Sequence, residues 1–294
     1  MSSVVQFQFK PTKYSPVPYK VDILPDTCGF VVYDLFSKEE CQQIINTGES
    51  NGFQPLSKEY NPSYRNNKRI LCNIPNLTSE WWNRVSPFIN ETLLIGKNTD
   101  TLASNFLTTG VWKKSELNPQ LRLCKYDPGN FFKKHYDEGY HPDMRKKRTM
   151  KTCMLYLNEN FEGGSTTFYY RGETYSIQPK TGMCLVFDQQ ILHEGMTVTS
   201  GLKYFVRTDI YYDLVKNIQT NSYSKVQLQT LEEFHKYVCL HEDGKIEESF
   251  IPFKKAEKLY GNIETLYYYP NSQFPEEKKE PENNTKNETT KLKK

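Results

Sequence analysis

The sequence predicts an α+β fold, with two helices ahead of a compact set of strands forming a sandwich or jelly-roll-type barrel. Three observations predict it. Between Leu121 and Tyr212 lie six short strand-like runs, "LRLCKY", "KTCMLYLN", "STTFYY", "ETYSIQP", "MCLVF" and "KYFVRTDIYY", with no helical period among them. Pro128-Gly129, Gly163-Gly164 and Thr181-Gly182 punctuate these runs, and Arg171-Gly172 reads as a hairpin turn. Upstream, two segments carry apolar residues at helical spacing instead.

Residues 1–20 are polar and hold Pro11, Pro16 and Pro18, which predicts an arm outside the core. Residues 21–120 read as the helical N-terminal part of the same domain. "FSKEECQQIINTGESNGF" opens with a capping box, Ser37 with Glu40, and carries an apolar stripe of Cys41, Ile44 and Ile45. "TSEWWNRVSPFINETLL" predicts a second helix capped at Thr78, with Trp81, Val85, Phe88 and Ile89 on one face and a bend at Pro87. Residues 121–213 form the expected strand-rich core of the domain. Residues 214–270 read as a C-terminal extension packed on that core: a helix capped at Thr230, a hairpin around Asp243-Gly244, and a short helix stopped by Gly261. Residues 271–294 end in "PEEKKEPENNTKNETTKLKK", whose composition cannot offset the entropy of ordering, so disorder is expected there.

The chain has 294 residues, 37% apolar, which suffices for a sizeable core. Its net charge of +3 argues against both a dedicated nucleic-acid binder and an acidic tail protein. No run reaches the roughly 18 apolar residues of a membrane span, and the first residues lack the pattern of a secretory signal. The seven cysteines are scattered without a C-x-x-C, as expected of reduced thiols. A cytoplasmic or nuclear protein with no membrane partner is the expectation. Oligomeric state is not legible.

The stretch "KKHYDEG" places His135 and Asp137 two positions apart, on one face of an extended strand. Two histidines and one carboxylate on one face of a metal leave positions open for substrate and O2 on Fe(II), and His193, after the apolar run "MCLVFDQQIL", supplies the third ligand. A chance H-x-D pair is the bland alternative. Lys203 opens "KYFVRTDIYY", and a cation pointing into an apolar barrel needs an anion. Arg207 and Asp209 share its parity. A solvated strand face carrying all three is the competing reading.

The ordered segments "YDPGNFFKKHYDEG", "YLNENFEGGSTTF", "PKTGMCLVFDQQILHEG" and "TSGLKYFVRTDIYY" resemble the Fe(II)- and 2-oxoglutarate-dependent dioxygenases of the prolyl 4-hydroxylase type, and their relatives with a K-Y-x-x-R-T-D strand. The likeness is dense over about residues 121–212 and looser upstream. It implies a double-stranded β-helix, with His135, Asp137 and His193 as metal ligands and catalytic centre. It further implies Lys203 on the distal carboxylate of 2-oxoglutarate, with Tyr126 and Tyr156 lining the cosubstrate pocket. Arg207 departs from the prolyl hydroxylase pattern, and as a second cation it suits either carboxylate of the cosubstrate or an acid on the substrate. The implied cofactors are Fe(II), 2-oxoglutarate and O2, with ascorbate as a supporting reductant.

"YRNNKRI" resembles an R-N-N segment of the relatives, which points to Arg65, Asn66 and Asn67 as substrate contacts; a turn held by asparagine side chains is the equal alternative. His141 reads as a surface or lid histidine, His235 and His241 have no ligand-spaced partner, and "MRKKRTMK" reads as a solvated loop before a basic rim. Three function classes follow. The first is a hydroxylase acting on a prolyl or other side chain of a protein or peptide. The second is a small-molecule or nucleic-acid oxygenase on the same fold, and the third a noncatalytic binding module.

Overall fold

The computed structural model describes residues 7–12, 17–95, 109–140, 142, 146–217, 224–242, 245–261 and 263. The chain divides into two compact units, Met1–Gln219 and Thr220–Lys294.

In the first unit the chain enters through β1 (Tyr19–Asp22) and β2 (Gly29–Tyr33), then α1 (Lys38–Asn51). Next come β3 (Gln54–Pro55), β4 (Lys68–Asn73), α2 (Pro75–Val85), β5 (Thr92–Ile95) and β6 (Gly110–Leu117). The expected core follows as β7 (Gln120–Tyr126), β8 (Phe132–His135), β9 (Lys147–Tyr156), β10 (Phe161–Gly163), β11 (Thr166–Tyr170) and β12 (Glu173–Ile177). It closes with β13 (Cys184–Asp188), β14 (Leu192–Gly195), β15 (Val198–Gly201) and β16 (Lys203–Asn217). A large antiparallel sheet runs β1-β2-β13-β9-β16-β7-β4-β3, with β6 on β16 and β5 on β6. A smaller sheet runs β12-β11-β14-β8, and β10 pairs β15.

The near-continuous apolar runs of the central strands have a physical reason: both faces are covered. On one face Cys153, Leu155, Cys184, Val186, Val206 and Ile210 join Cys41 and Ile44 of α1 and Leu77, Trp81 and Val85 of α2 in a single cluster. On the other, Met154, Tyr156, Leu185, Phe187 and Phe205 pack with Phe168 of β11 in a second cluster. Period-2 alternation thus sends one set of residues to the helices and the next to the interior between sheets. Arg171 and Gly172, both at positive φ (51° and 81°), make the tight β11–β12 turn, as a two-residue hairpin requires.

Ser37 accepts from the amide of Glu40 while the Glu40 carboxylate accepts from the amide of Ser37, which completes the expected box. Arg84 of α2 reaches across to both Glu40 oxygens at 2.8 Å. α2 itself begins earlier than expected. Pro75, pre-set for the first helical turn, starts it, and Thr78 instead donates its hydroxyl back to the Ile74 carbonyl. Pro87 sits in a 3-10 turn that ends the helix rather than bending it.

The N-terminal arm is not wholly outside the core. Phe9 is buried against Phe36, and its carbonyl accepts from Asn76, because an aromatic in a polar stretch still gains by burial. The extension expected from residue 214 also starts later, since β16 runs on to Asn217. In the second unit α3 (Lys225–Glu242) and α4 (Ile246–Leu259) follow one another, with Phe253 against Phe234 and Tyr237. The α3 cap is Ser224 with Gln227, a box six residues ahead of the expected cap, and Thr230 bonds back to Val226 inside the helix. The residues flanking the expected hairpin are helical; Asp243-Gly244 themselves, His141 and the expected disordered tail 271–294 lie outside the described residues. No helix among the described residues is long and apolar enough to cross a membrane.

Candidate active site

β8 and β14 are neighbours in the smaller sheet, and their register sets His135 opposite His193. Each ring is oriented by a carbonyl two residues back in its own chain: Nδ1 of His135 lies 2.7 Å from the Lys133 oxygen, and Nδ1 of His193 lies 2.9 Å from that of Ile191. A carbonyl only accepts, so both Nδ1 atoms carry the proton and both Nε2 atoms present a lone pair. These face Asp137, each 3.7 Å from one of its oxygens. The three ligand atoms lie within 4.8 Å of one another, so this donor set fits one divalent ion of the type that accepts imidazole and carboxylate together.

Asp137 is held from several sides. Its amide donates to the Gln189 carbonyl, the Thr152 hydroxyl donates to Oδ2, and Arg207 lies 3.0 Å from Oδ1. Burial alone would raise its pKa, but the field of Arg207 and the two imidazoles overcome this and hold it at about 2. Burial drives both histidines the other way, His135 down to about 3, which keeps their nitrogens free to ligate.

The facing wall belongs to the larger sheet. Lys203, Phe205 and Arg207 line the cleft from β16, and Asp209, which shares their parity, is fully buried beyond it, so the parity read from the sequence points inward rather than to solvent. Lys203 is 1% exposed, and its ammonium donates to the Gly164 carbonyl at 2.7 Å, with Tyr126, Tyr156 and Phe205 rings around it at 5.2–5.4 Å. No carboxylate neutralises it among the described residues, and burial lowers its pKa to about 7. A buried ammonium with one neutral acceptor fits an anionic ligand. Tyr126 lines the cleft; the Tyr156 hydroxyl is bonded to Thr166, which also lines it. The cleft and its solvent-open mouth together span about 470 Å³.

Arg207 is committed differently from Lys203. It bonds Asp137 and also Asp209 at 3.3 Å, while Arg122 holds the other Asp209 oxygen at 2.9 Å. Its Nε is buried without a partner. Of the R-N-N segment only Arg65 lines the cleft. Asn66 bonds the Gly129 carbonyl and the Phe131 amide, and Asn67 accepts from Arg65 and donates to the Lys68 carbonyl, so these two amides hold the loop. Sequence reasoning missed Thr152, Arg122 and Phe132, whose ring stacks on His135 at 3.5 Å. Only strand pairing reveals them; the parity of Arg122 with Cys124 and Tyr126 on β7 was the one available signal.

Two imidazoles and a carboxylate gathered between facing sheets are a donor set that suits a single metal ion and leaves positions open for other ligands. Residues 121–210, which include the strands that build the site, match the model of the 2OG-Fe(II) oxygenase superfamily. A curated relative, the uncharacterized protein FPV006/FPV255 of Fowlpox virus (strain NVSL), is 30% identical over 105 residues, 36% of this chain and 24% of the relative. The match thus spans about a quarter of that protein's length. Among solved structures, the chain is similar to the viral collagen prolyl hydroxylase vCPH of Paramecium Bursaria Chlorella virus-1 in its 2OG complex, with 21% identity and a TM-score of 0.40, covering 66% of this chain and 95% of that one. A Pseudomonas putida prolyl-4-hydroxylase aligns at 14% identity and a TM-score of 0.41, over 66% and 91%. A Trichoplax adhaerens prolyl hydroxylase in complex with a hypoxia inducible factor peptide fragment aligns at 17% identity and 0.42, over 67% and 83%.

Proposed function

We propose that this chain is an Fe(II)- and 2-oxoglutarate-dependent oxygenase on a double-stranded β-helix, hydroxylating a C–H bond on a prolyl or other side chain of a protein or peptide, in the cytoplasm or nucleus. The observation that carries it is the pairing of the His135, Asp137 and His193 cluster with a buried, anion-seeking Lys203 across one cleft. Fe(II) with 2-oxoglutarate and O2 supplies the oxidising chemistry, and succinate and CO2 are released.

The residues perform the rest. His135 and His193 offer fixed Nε2 lone pairs, and Asp137 offers a carboxylate kept ionised by Arg207. Lys203 takes the distal carboxylate of 2-oxoglutarate, with Tyr126 beside it, and the dianion supplies the charge that the ammonium lacks. Phe168 and Phe187 pack on the His193 ring and keep water from its inner side. Tyr64, Tyr136 and Tyr140 stay exposed on segments flanking the cleft, an aromatic edge suited to an apolar ring or stem of a peptide.

The test is succinate release from 2-oxoglutarate by purified protein with Fe(II), with and without ascorbate, alongside His135→Ala. Mass spectrometry of treated cell extract then seeks a gain of one oxygen. Release no greater than that of the variant would leave a noncatalytic binding module. Oxygen gained by a metabolite or nucleobase instead of a peptide would move the substrate to the second class.

A further inference from the structure

Four cations line the cleft, Arg65, Arg122, Lys203 and Arg207. Three have an assignment. Arg122 and Arg207 are neutralised by Asp209 and Asp137. Lys203, under the function proposed above, receives the distal carboxylate of 2-oxoglutarate. Arg65 remains.

Its side chain is fixed. Nε donates to Asn67 at 2.8 Å, and the guanidinium lies over the Phe132 ring at 4.3 Å and the Tyr60 ring at 4.9 Å. Phe132 in turn stacks on the metal-ligand candidate His135. Arg65 is 5% exposed, yet neither terminal nitrogen meets a carboxylate or any other hydrogen-bond acceptor among the described residues. The terminal nitrogens face the open cleft without a protein acceptor among the described residues, so an anion entering the cleft would meet two unpaired donors. Its planar fork, pre-set by the aromatic rings and Asn67, suits a carboxylate held by two parallel bonds.

We propose that Arg65 seats a carboxylate of the substrate, so that the chain acts on an acidic peptide, with Asp or Glu close to the residue hydroxylated. This rests on the oxygenase reading of the same cleft. The segment "YRNNKRI" serves it as a unit: Arg65 binds, Asn67 aims, and Asn66 ties the loop to residues 129–131.

The test loads the protein with Mn(II) and 2-oxoglutarate and mixes it with a randomised heptapeptide library fixed at a central proline. Retained peptides are sequenced by mass spectrometry for the parent, R65K and R65Q. The parent should enrich Asp and Glu at a preferred position by about tenfold or more, the scale of one charged hydrogen-bonded contact. R65K should keep part of this, and R65Q none. Absence of acidic enrichment with the parent, or the same enrichment with R65Q, overturns the proposal. Retention of an oligonucleotide in place of acidic peptides overturns it as well. Calorimetric 2-oxoglutarate affinity separates the two sources of carboxylate: a larger loss in R65Q than in K203Q would hand Arg65 to the cosubstrate. Succinate release measured without peptide reports on the oxygenase reading alone, so release without acidic enrichment sinks only the present inference.

Discussion

Replacing Lys203 with Met keeps the unbranched stem among Tyr126, Tyr156 and Phe205 but removes the charge. Burial lowers the Lys203 pKa from 10.5 to about 7. The unfolded chain therefore holds more protons than the folded one between those values, and ligand-free stability rises with pH across that window. At about 1.4 kcal/mol per unit, the buried ammonium costs the ligand-free fold up to roughly 5 kcal/mol, and about 2–5 kcal/mol is expected once local relaxation is allowed. Urea denaturation at pH 6.5 should thus find Lys203→Met more stable than the parent, with the gap narrowing toward pH 9. Adding 2-oxoglutarate to the Mn(II)-loaded proteins should raise the melting temperature of the parent further and leave that of the Mn(II)-loaded variant unmoved. In the parent this rise should weaken above pH 7, because binding then requires Lys203 to take up a proton. A variant no more stable than the parent at pH 6.5, yet still stabilised by 2-oxoglutarate, would refute the reasoning.

His135→Ala and Asp137→Ala should each abolish Fe(II)-dependent succinate release with a circular dichroism spectrum close to the parent's; turnover surviving in both would remove the cluster from the chemistry. Arg207→Ala leaves Asp137 and Asp209 short of a buried partner, so it should cost about 3–5 kcal/mol in urea denaturation and weaken Mn(II) binding more than 2-oxoglutarate binding. The reverse order of losses would give Arg207 the distal carboxylate. Ser37→Ala should cost about 1 kcal/mol of stability through the lost α1 cap. Glu40 is buried, which would raise its pKa, but Arg84 and the amides of Ser37 and Thr12 bring it below 4.5. Its contribution is present above that value and lost as pH falls below it, so Glu40→Gln should flatten the acid limb of the stability curve.

The strand alternation read from H-x-D holds only for His135: β8 ends there, and Asp137 reaches the same cluster from just beyond the strand, its amide bonded to the Gln189 carbonyl. The strands of the core were legible because each two-sided apolar run such as "MCLVF" is bounded by turn residues. The capping box at Ser37 was legible for the same local reason. The box at Ser224 has the same form but was passed over for Thr230, which lies closer to the apolar residues of that helix. Gly163 could be read as punctuation, yet the reason for it is tertiary: a Cβ there would sit 2.3 Å from the Thr197 carbonyl oxygen. Arg207 shows the same limit. Its inward parity was visible, but its commitment to Asp137 depends on a carboxylate more than sixty residues away in sequence. Asn66 and Asn67 looked like binding groups because polarity alone does not say whether an amide faces a ligand or its own backbone.

His135 and His193 belong to β8 and β14 in the smaller sheet and Asp137 lies just beyond β8, whereas Lys203 and Arg207 project from β16 in the larger one, with Thr152 of β9 reaching across to Asp137. Neither layer alone carries the whole candidate site. A half-formed chain with only the smaller sheet assembled would keep the His135, Asp137 and His193 donors but lack Lys203 and the Arg207 and Thr152 contacts to Asp137, so under the proposed function 2-oxoglutarate binding would report on closure of the sandwich itself. Under the proposed function, metal and cosubstrate together would act as a rivet through both layers, and each should bind more tightly when the other is already in place.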